Sequence, residues 1–221
     1  MHVVLLSYTP EPERTIAAAA RLSTSSVSAA ELFEKQSQAR TESLLNYLLE
    51  AGHLSPFEHA SFTLAIDGIS RAASHQLVRH RMASYTQQSQ RYVPLRRFDY
   101  VTPPSIASRP GFSARFHELV RQTHGLYCEM VDAGIAAEDA RYLLPQAGQT
   151  RLVMTMNARE LMHAASLRLC LRAQWEIVQL FEAIKAEMEQ VAPRIAAELR
   201  AKCYRLGYCD ERESCGLMPT R

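Results

Sequence analysis

A chain of 221 residues with 47% hydrophobic content is long enough to bury one substantial core. Its net charge of +2 gives no polyanion-binding signal, and no segment approaches the roughly 20 apolar residues that span a bilayer, so neither nucleic acid nor membrane is an expected partner. Only Lys35, Lys185 and Lys202 are lysines, and the other 22 of 25 basic residues are Arg. Arginine's planar fork suits phosphate and carboxylate, although arginine-rich codon usage gives the same composition.

The opening MHVVLLSYTP has neither the basic lead nor the apolar run of an export signal. Five cysteines is an odd number for a disulfide framework, and a cytoplasmic protein is expected. Residues 2–8 read as a strand, and 13–22 and 28–50 as helices, with Gly52 placed to end the second. After Ser55-Pro56, Phe62, Leu64 and Ile66 alternate with Ser61, Thr63 and Ala65, the period of a strand. Ser70 caps a short helix reaching Arg81, followed by a polar stretch at 82–91 and an extended piece at 92–101. A helix over 111–133 is separated by Gly134 from another at 137–144, which Pro145 stops. Residues 150–157 read as a strand. Asn157 with Glu160 three residues on resembles a capping box opening a helix over 157–169, and a long amphipathic helix over 173–202 closes the pattern. The sum is an α+β fold, a helix-rich single domain with a small, mostly antiparallel sheet.

No GxGxxG follows a strand, and neither GxxxxGK[ST] nor HExxH occurs. With 8 glycines, cofactor phosphates must be held by side chains more than by backbone. The densest polar cluster runs from His75 to Arg97. On a helix, Gln76, Arg79 and His80 share one face, followed by Arg81, the hydroxyls of Ser84, Tyr85, Thr86 and Ser89, then Arg91 and Tyr92. Such a set can grip a phosphate and hydrogen-bond a planar heterocycle. The alternatives are a solvated charged face and, less favoured, a nucleic-acid patch with interleaved aromatics.

The segment RHRMASYTQQSQRY, with Arg79, His80, Arg81, Ser89, Arg91 and Tyr92, resembles the signature of flavin-dependent thymidylate synthases. GHLSPFEHASFT upstream, and ARYLLP, NARELMHAASLR and AQWEI downstream, extend the resemblance in order across most of residues 50–180. It implies a catalytic domain over 1–202 with a Cys-containing tail at 203–221, and helices that form the subunit interfaces of a homotetramer. It further implies that His53, Ser55, Arg79, His80, Arg81, Gln87, Asn157, Arg159 and His163 contact FAD. By the same resemblance Gln76, Arg79, Gln87, Gln88, Ser89, Gln90, Arg91 and Arg141 hold dUMP, and Arg168 binds and activates it. The implied reaction methylates dUMP with methylenetetrahydrofolate as carbon donor and reduced flavin, regenerated by NADPH, as hydride donor. The motif departs from the family's usual residues at Thr86, where Asn is usual, and at Gln87, where Glu is frequent.

Helical geometry adds one point. Arg159 and His163 share a face, whereas Arg168 lies about 180° around and about 13 Å along from Arg159. One helix serving two active sites, shared between subunits, is the expectation. Uracil C5 becomes a carbon nucleophile once negative charge enters the ring, and a guanidinium such as Arg168 stabilises that charge where it develops. Ser89 reads as a substrate ligand, because the sequence places no base with an orienting partner beside it. Cys170 reads as a core thiol pointing away from Arg168. Cys203, Cys209 and Cys215 are evenly spaced but not as CxxC, and with no histidine near them a metal is not expected.

Overall fold

The computed structural model describes Met1–Arg221. In chain order it contains β1 (His2–Tyr8), α1 (Pro12–Leu22), α2 (Ala29–Glu34), α3 (Gln38–Glu50), a 3-10 turn (Ser55–His59), β2 (Ser61–Ser70), α4 (Arg71–Leu77) and β3 (Ala83–Gln87). There follow α5 (Pro104–Ala107), α6 (Pro110–Asp132), α7 (Ala137–Ala140), a second 3-10 turn (Arg141–Leu143) and β4 (Gln149–Asn157). The chain ends with α8 (Ala158–Arg168), α9 (Trp175–Glu189), α10 (Pro193–Ala197) and α11 (Lys202–Leu206). The fold is α+β, with 51% helix around one small antiparallel sheet.

The sheet order is β1-β2-β4-β3. Thr9 N–H donates to Ser61 O at 2.9 Å while Met1 packs beside Gly68, so β1 and β2 run antiparallel. Ala158 N–H to Ala60 O and Arg71 N–H to Gly148 O frame β2 and β4 in the same sense. On the two central strands Phe62, Leu64 and Ile66 alternate with Leu152, Met154 and Met156 in burying one face, as the period of 2 requires. On the opposite face the Thr63 and Thr155 hydroxyls pair at 2.9 Å.

The residues gather into two units, and every strand contributes to both. One comprises 1–2, 66–79 and 86–152; the other comprises 3–65, 80–85 and 153–221. In the first, Ile69, Ala73, Leu77, Val120 and Tyr127 are buried, and α6 packs with α5 and α7. In the second, α1 packs on α2 and α3, and α9 packs on α8 and α10 around Ile16, Leu45, Phe57, Phe181, Ile184 and Met188.

Several predicted elements differ from those observed. The helix predicted over 28–50 is two helices, because Arg14 donates to the last carbonyls of α2, Phe33 O at 2.7 Å and Glu34 O at 2.8 Å, and so fixes its end. The helix predicted to reach Arg81 stops at Leu77. The polar stretch beyond it contains β3, paired with β4, and Gln88 N–H continues the pairing to Arg151 O at 2.9 Å. Alternation is unreadable in five polar or small residues, and the ladder alone supplies their backbone partners. The piece at 92–101 makes a single bridge, Tyr100 to Gly148. Residues 137–144 tighten from α7 into 3-10 geometry before Pro145, which disfavours helix in the residue before it. The predicted helix over 173–202 is cut at Pro193, whose ring cannot continue an α-helical ladder. Glu13 on α1 accepts from Arg194 N–H at 2.6 Å and Ile195 N–H at 3.2 Å, satisfying the start of α10 from another element.

Candidate functional site

In the second unit, α3 ends in a Schellman turn. Gly52 sits at φ 73°, its N–H reaches Leu49 O, and His53 N–H reaches Leu48 O at 2.8 Å. A left-handed residue is required there, and glycine adopts it at no steric cost. The turn presents His53 and Ser55, both exposed, at the entry to the 3-10 turn. At the other end of β2's neighbour β4, Asn157 Oδ1 accepts from Glu160 N–H at 2.9 Å and starts α8 as its N-cap. The first turns of α8 then carry Arg159 and His163 on one face.

That face opens on a cavity of about 940 Å³, whose lining includes Asn157, Arg159, Glu160, His163, Leu54 and Met82. Arg159 is held by Glu58 at 2.5 Å. Of the expected flavin-contacting residues in this unit, Asn157, Arg159 and His163 line the cavity. His53, Ser55, Arg81 and His80 do not, and neither does Arg168.

His80 is 5% exposed, and both ring nitrogens face protein groups. Arg168, the last residue of α8, donates from Nε to His80 Nε2 at 3.0 Å. Nδ1 of His80 faces Glu160 Oε1 at 3.5 Å. The ring lies edge-on to His163 and Phe181, and its backbone carbonyl accepts from the Tyr85 hydroxyl at 3.0 Å. Burial, with the Arg168 and His163 charges behind it, pushes His80 down to about 4, so the ring is neutral at ordinary pH. Burial and then Glu160 push the Tyr85 phenol up to about 12.

In the first unit, Gln87 Nε2 donates to Ser74 Oγ and Thr150 Oγ1, each at 3.0 Å. The Ser74 hydroxyl in turn donates to Arg71 O at 2.9 Å. The network runs in one donor sense, which an amide supplies and a carboxylate at this position would not; the departure at Gln87 therefore has a structural consequence. Arg91 pairs through Nε with Glu138, and Arg141 Nε donates to Glu138 O at 3.0 Å, so Glu138 brings two of the expected nucleotide-holding arginines together. Burial, then the charge of Arg141, lowers the basicity of Arg71, which marks it as a third cation there. Ser89 Oγ accepts from Arg91 N–H at 3.1 Å, and Gln88 is tied to β4 through its backbone. Gln76, Gln88, Ser89 and Gln90 are half-buried, and Arg79 is exposed.

Two expectations are corrected. Gln76, Arg79 and His80 do not share a helical face, because α4 ends at Leu77 and the following residues turn, leaving Arg79 exposed and His80 buried. Cys170 is not a core thiol. It lies beyond α8, is half-buried, and lines one small cavity with Cys203, Cys209 and Cys215. All five cysteines are free, and no group of three or more His, Cys, Asp or Glu side chains is arranged to hold a metal ion.

Three residues escaped the sequence reading. Glu160 looked like half of a capping box, yet its side chain turns to His80. Glu138 gave no signal. Arg71 did give one, a cation in the first turn of α4, where the helix dipole disfavours it.

A cavity of this size sits at the upper end of those that enclose organic ligands. An amide, a guanidinium and an imidazole on its wall provide donors for carbonyl and phosphate oxygens, so the residues fit a flavin nucleotide. The chain matches the thymidylate synthase complementing protein family over residues 4–194. A flavin-dependent thymidylate synthase of Geobacter sulfurreducens is 46% identical over 213 residues, covering 96% of this chain and 91% of the relative. That of Pyrococcus furiosus is 43% identical over 227 residues, covering 99% and 92%. The crystal structure of the UMP/dUMP methylase PolB from Streptomyces cacaoi, bound with 5-Br dUMP, superposes with a TM-score of 0.77 at 26% identity, covering 89% of this chain and 93% of that one. The chain belongs to the thymidylate synthase complementing protein family, the flavin-dependent thymidylate synthases.

Proposed function

We propose that this chain catalyses the reductive methylation of dUMP to dTMP, with FAD as its flavin, methylenetetrahydrofolate as carbon donor and NADPH as reductant. The observation that carries this reading is the Arg168–His80 pair beside the cavity of Asn157, Arg159 and His163.

Those three residues, with His53, Ser55, Arg79, His80, Arg81 and Gln87, hold FAD. Bound and reduced, the flavin supplies a hydride. Ser89, Arg91 and Arg141 hold the nucleotide, aided by Gln76, Arg79, Gln87, Gln88 and Gln90, with charge-assisted bonds from the guanidinium groups to phosphate. Arg168 faces the uracil and stabilises negative charge as it develops there, which makes C5 nucleophilic toward the transferred carbon. Ser89 remains a ligand, since its Oγ accepts from a backbone N–H and no base stands beside it.

Residues 1–202 form the catalytic domain and 203–221 its tail. The active species is a homotetramer with sites shared between subunits. Supporting this, Phe112, Leu119 and Leu126 are exposed at seven-residue intervals along α6, the spacing of a helix-packing seam, and the cavity takes Arg159 and His163 of α8 but not Arg168. The free cysteines fit a reducing cytoplasm. No helix is long and apolar enough to cross a membrane, and neither membrane nor nucleic acid is a partner in this reading.

The test is the visible spectrum of the purified protein after FAD is added and the mixture gel-filtered, with and without dUMP. A retained flavin band that dUMP perturbs is the expected result. A colourless protein overturns the reading.

A further inference from the structure

Arginine's Nε always carries a hydrogen, so a bond from Arg168 Nε to His80 Nε2 at 3.0 Å requires a lone pair on Nε2. A neutral imidazole with its lone pair there carries its proton on Nδ1, the nitrogen that faces Glu160 Oε1 at 3.5 Å. The contact is long for a hydrogen bond, yet the carboxylate acts on the same choice as Arg168, from the other side of the ring. It favours an N–H and disfavours a lone pair.

Apart from Arg168 and Glu160, the groups around the ring do not make that choice. Phe181 and His163 meet it edge-on at centroid separations of 6.3 and 6.4 Å, and the Tyr85 hydroxyl donates to the backbone carbonyl of His80. Glu160 is itself held by the fold. Its backbone N–H is the one capped by Asn157, and the residue is part of the cavity wall.

We propose that Glu160 is a positioning residue, whose carboxylate fixes the Nδ1–H tautomer of His80 and thereby makes Nε2 the acceptor that aims the Arg168 guanidinium. With the tautomer reversed, two N–H groups would oppose each other and Arg168 would turn away. Preorganised aim matters because misplacing a reacting or charge-stabilising group by about 1 Å can cost on the order of a hundredfold in rate. The proposal rests on the reading that Arg168 activates the nucleotide.

The experiment combines ring-nitrogen NMR of His80 in the flavin-loaded protein with dUMP methylation kinetics of wild type, Glu160→Gln, Glu160→Ala and Arg168→Ala. In wild type, Nδ1 is expected protonated and Nε2 not. Glu160→Ala is expected to lose roughly tenfold to a hundredfold in kcat, with a much smaller change in KM for dUMP and a mixed tautomer signal. Glu160→Gln, whose amide oxygen still accepts, is expected to recover most of kcat. An Nε2–H tautomer in wild type, or full kcat in Glu160→Ala, overturns the proposal. So does equal impairment of Gln and Ala variants with the tautomer unchanged, which is the signature of a merely structural role. If Arg168→Ala keeps its turnover, the reading of Arg168 itself fails, an outcome separate from an inactive Arg168→Ala beside a fully active Glu160→Ala.

Discussion

Arg168 Nε and His80 Nε2 are 3.0 Å apart, the guanidinium donating and the buried imidazole accepting. The last residue of α8 is thereby tied to the residue that follows the α4 turn, 88 positions earlier in the chain. A guanidinium fixed through Nε has its plane set by the protein rather than by its ligand, which is how a cation becomes preorganised for charge that develops later.

Removing that cation should remove the chemistry. Arg168→Ala is expected to lose about a hundredfold or more in kcat, while Cys170→Ala, altering a half-buried thiol among the tail cysteines, keeps it. Single-turnover conversion of dUMP by both variants checks this. The reverse pattern would mean that a thiolate activates the ring.

Burial of neutral His80 gives stability a sign in pH. Its ordinary value of 6.5 is lowered to about 4 in the fold, so between these limits the unfolded chain binds more protons than the folded one. The contribution is complete above pH 6.5 and is lost as pH falls from 6.5 toward 4. With about 1.4 kcal/mol per unit, it amounts to on the order of 3 kcal/mol. Urea unfolding of wild type and His80→Gln from neutral pH to pH 4.5 tests this; the wild type should lose more stability, and parallel curves would contradict it.

The cluster around Glu138 predicts a binding defect rather than a chemical one. Arg141→Ala removes a cation held at Glu138 O and leaves Arg91 paired with the Glu138 carboxylate. KM for dUMP should rise by roughly tenfold to a hundredfold with kcat little changed, as expected for loss of one charge-assisted bond. A fall in kcat at constant KM would place Arg141 in the chemistry instead.

Asn157 serves α8 as well as the cavity. Asn157→Asp preserves an acceptor for Glu160 N–H, whereas Asn157→Ala leaves that donor unpaired and should cost about 1 kcal/mol, read as a lower Tm. Flavin retention should fall in Asn157→Ala beyond what the stability loss explains. A variant with unchanged Tm would remove the capping role.

Much of this arrangement was legible because it rests on local chemistry. Gly52 at the end of α3, Ser70 at the start of α4 and Asn157 at the start of α8 each announce a helix boundary by the bonds they alone can make. The alternation of Phe62, Leu64 and Ile66 announced β2 for the same reason. What stayed hidden depends on distant partners. β3 is a strand because β4 pairs with it, not because ASYTQ alternates. The break after α2 depends on Arg14, some twenty residues away, and the start of α10 on Glu13, 181 residues away. The site followed the same division. Residue types and order in the RHR and NARELMHAASLR segments carried the resemblance from which the proposed flavin and nucleotide contacts come. The meeting of Glu160, His80 and Arg168 required the fold, because the α4 helix ends three residues short of His80.

The most direct test of the central claim is mass spectrometry of the nucleotide after incubating the purified protein with dUMP, methylenetetrahydrofolate, FAD and NADPH under anaerobic conditions. Conversion to dTMP that stops when FAD or the folate is omitted is the predicted result. Unchanged dUMP in the complete mixture, from protein that retains its flavin, would contradict the account.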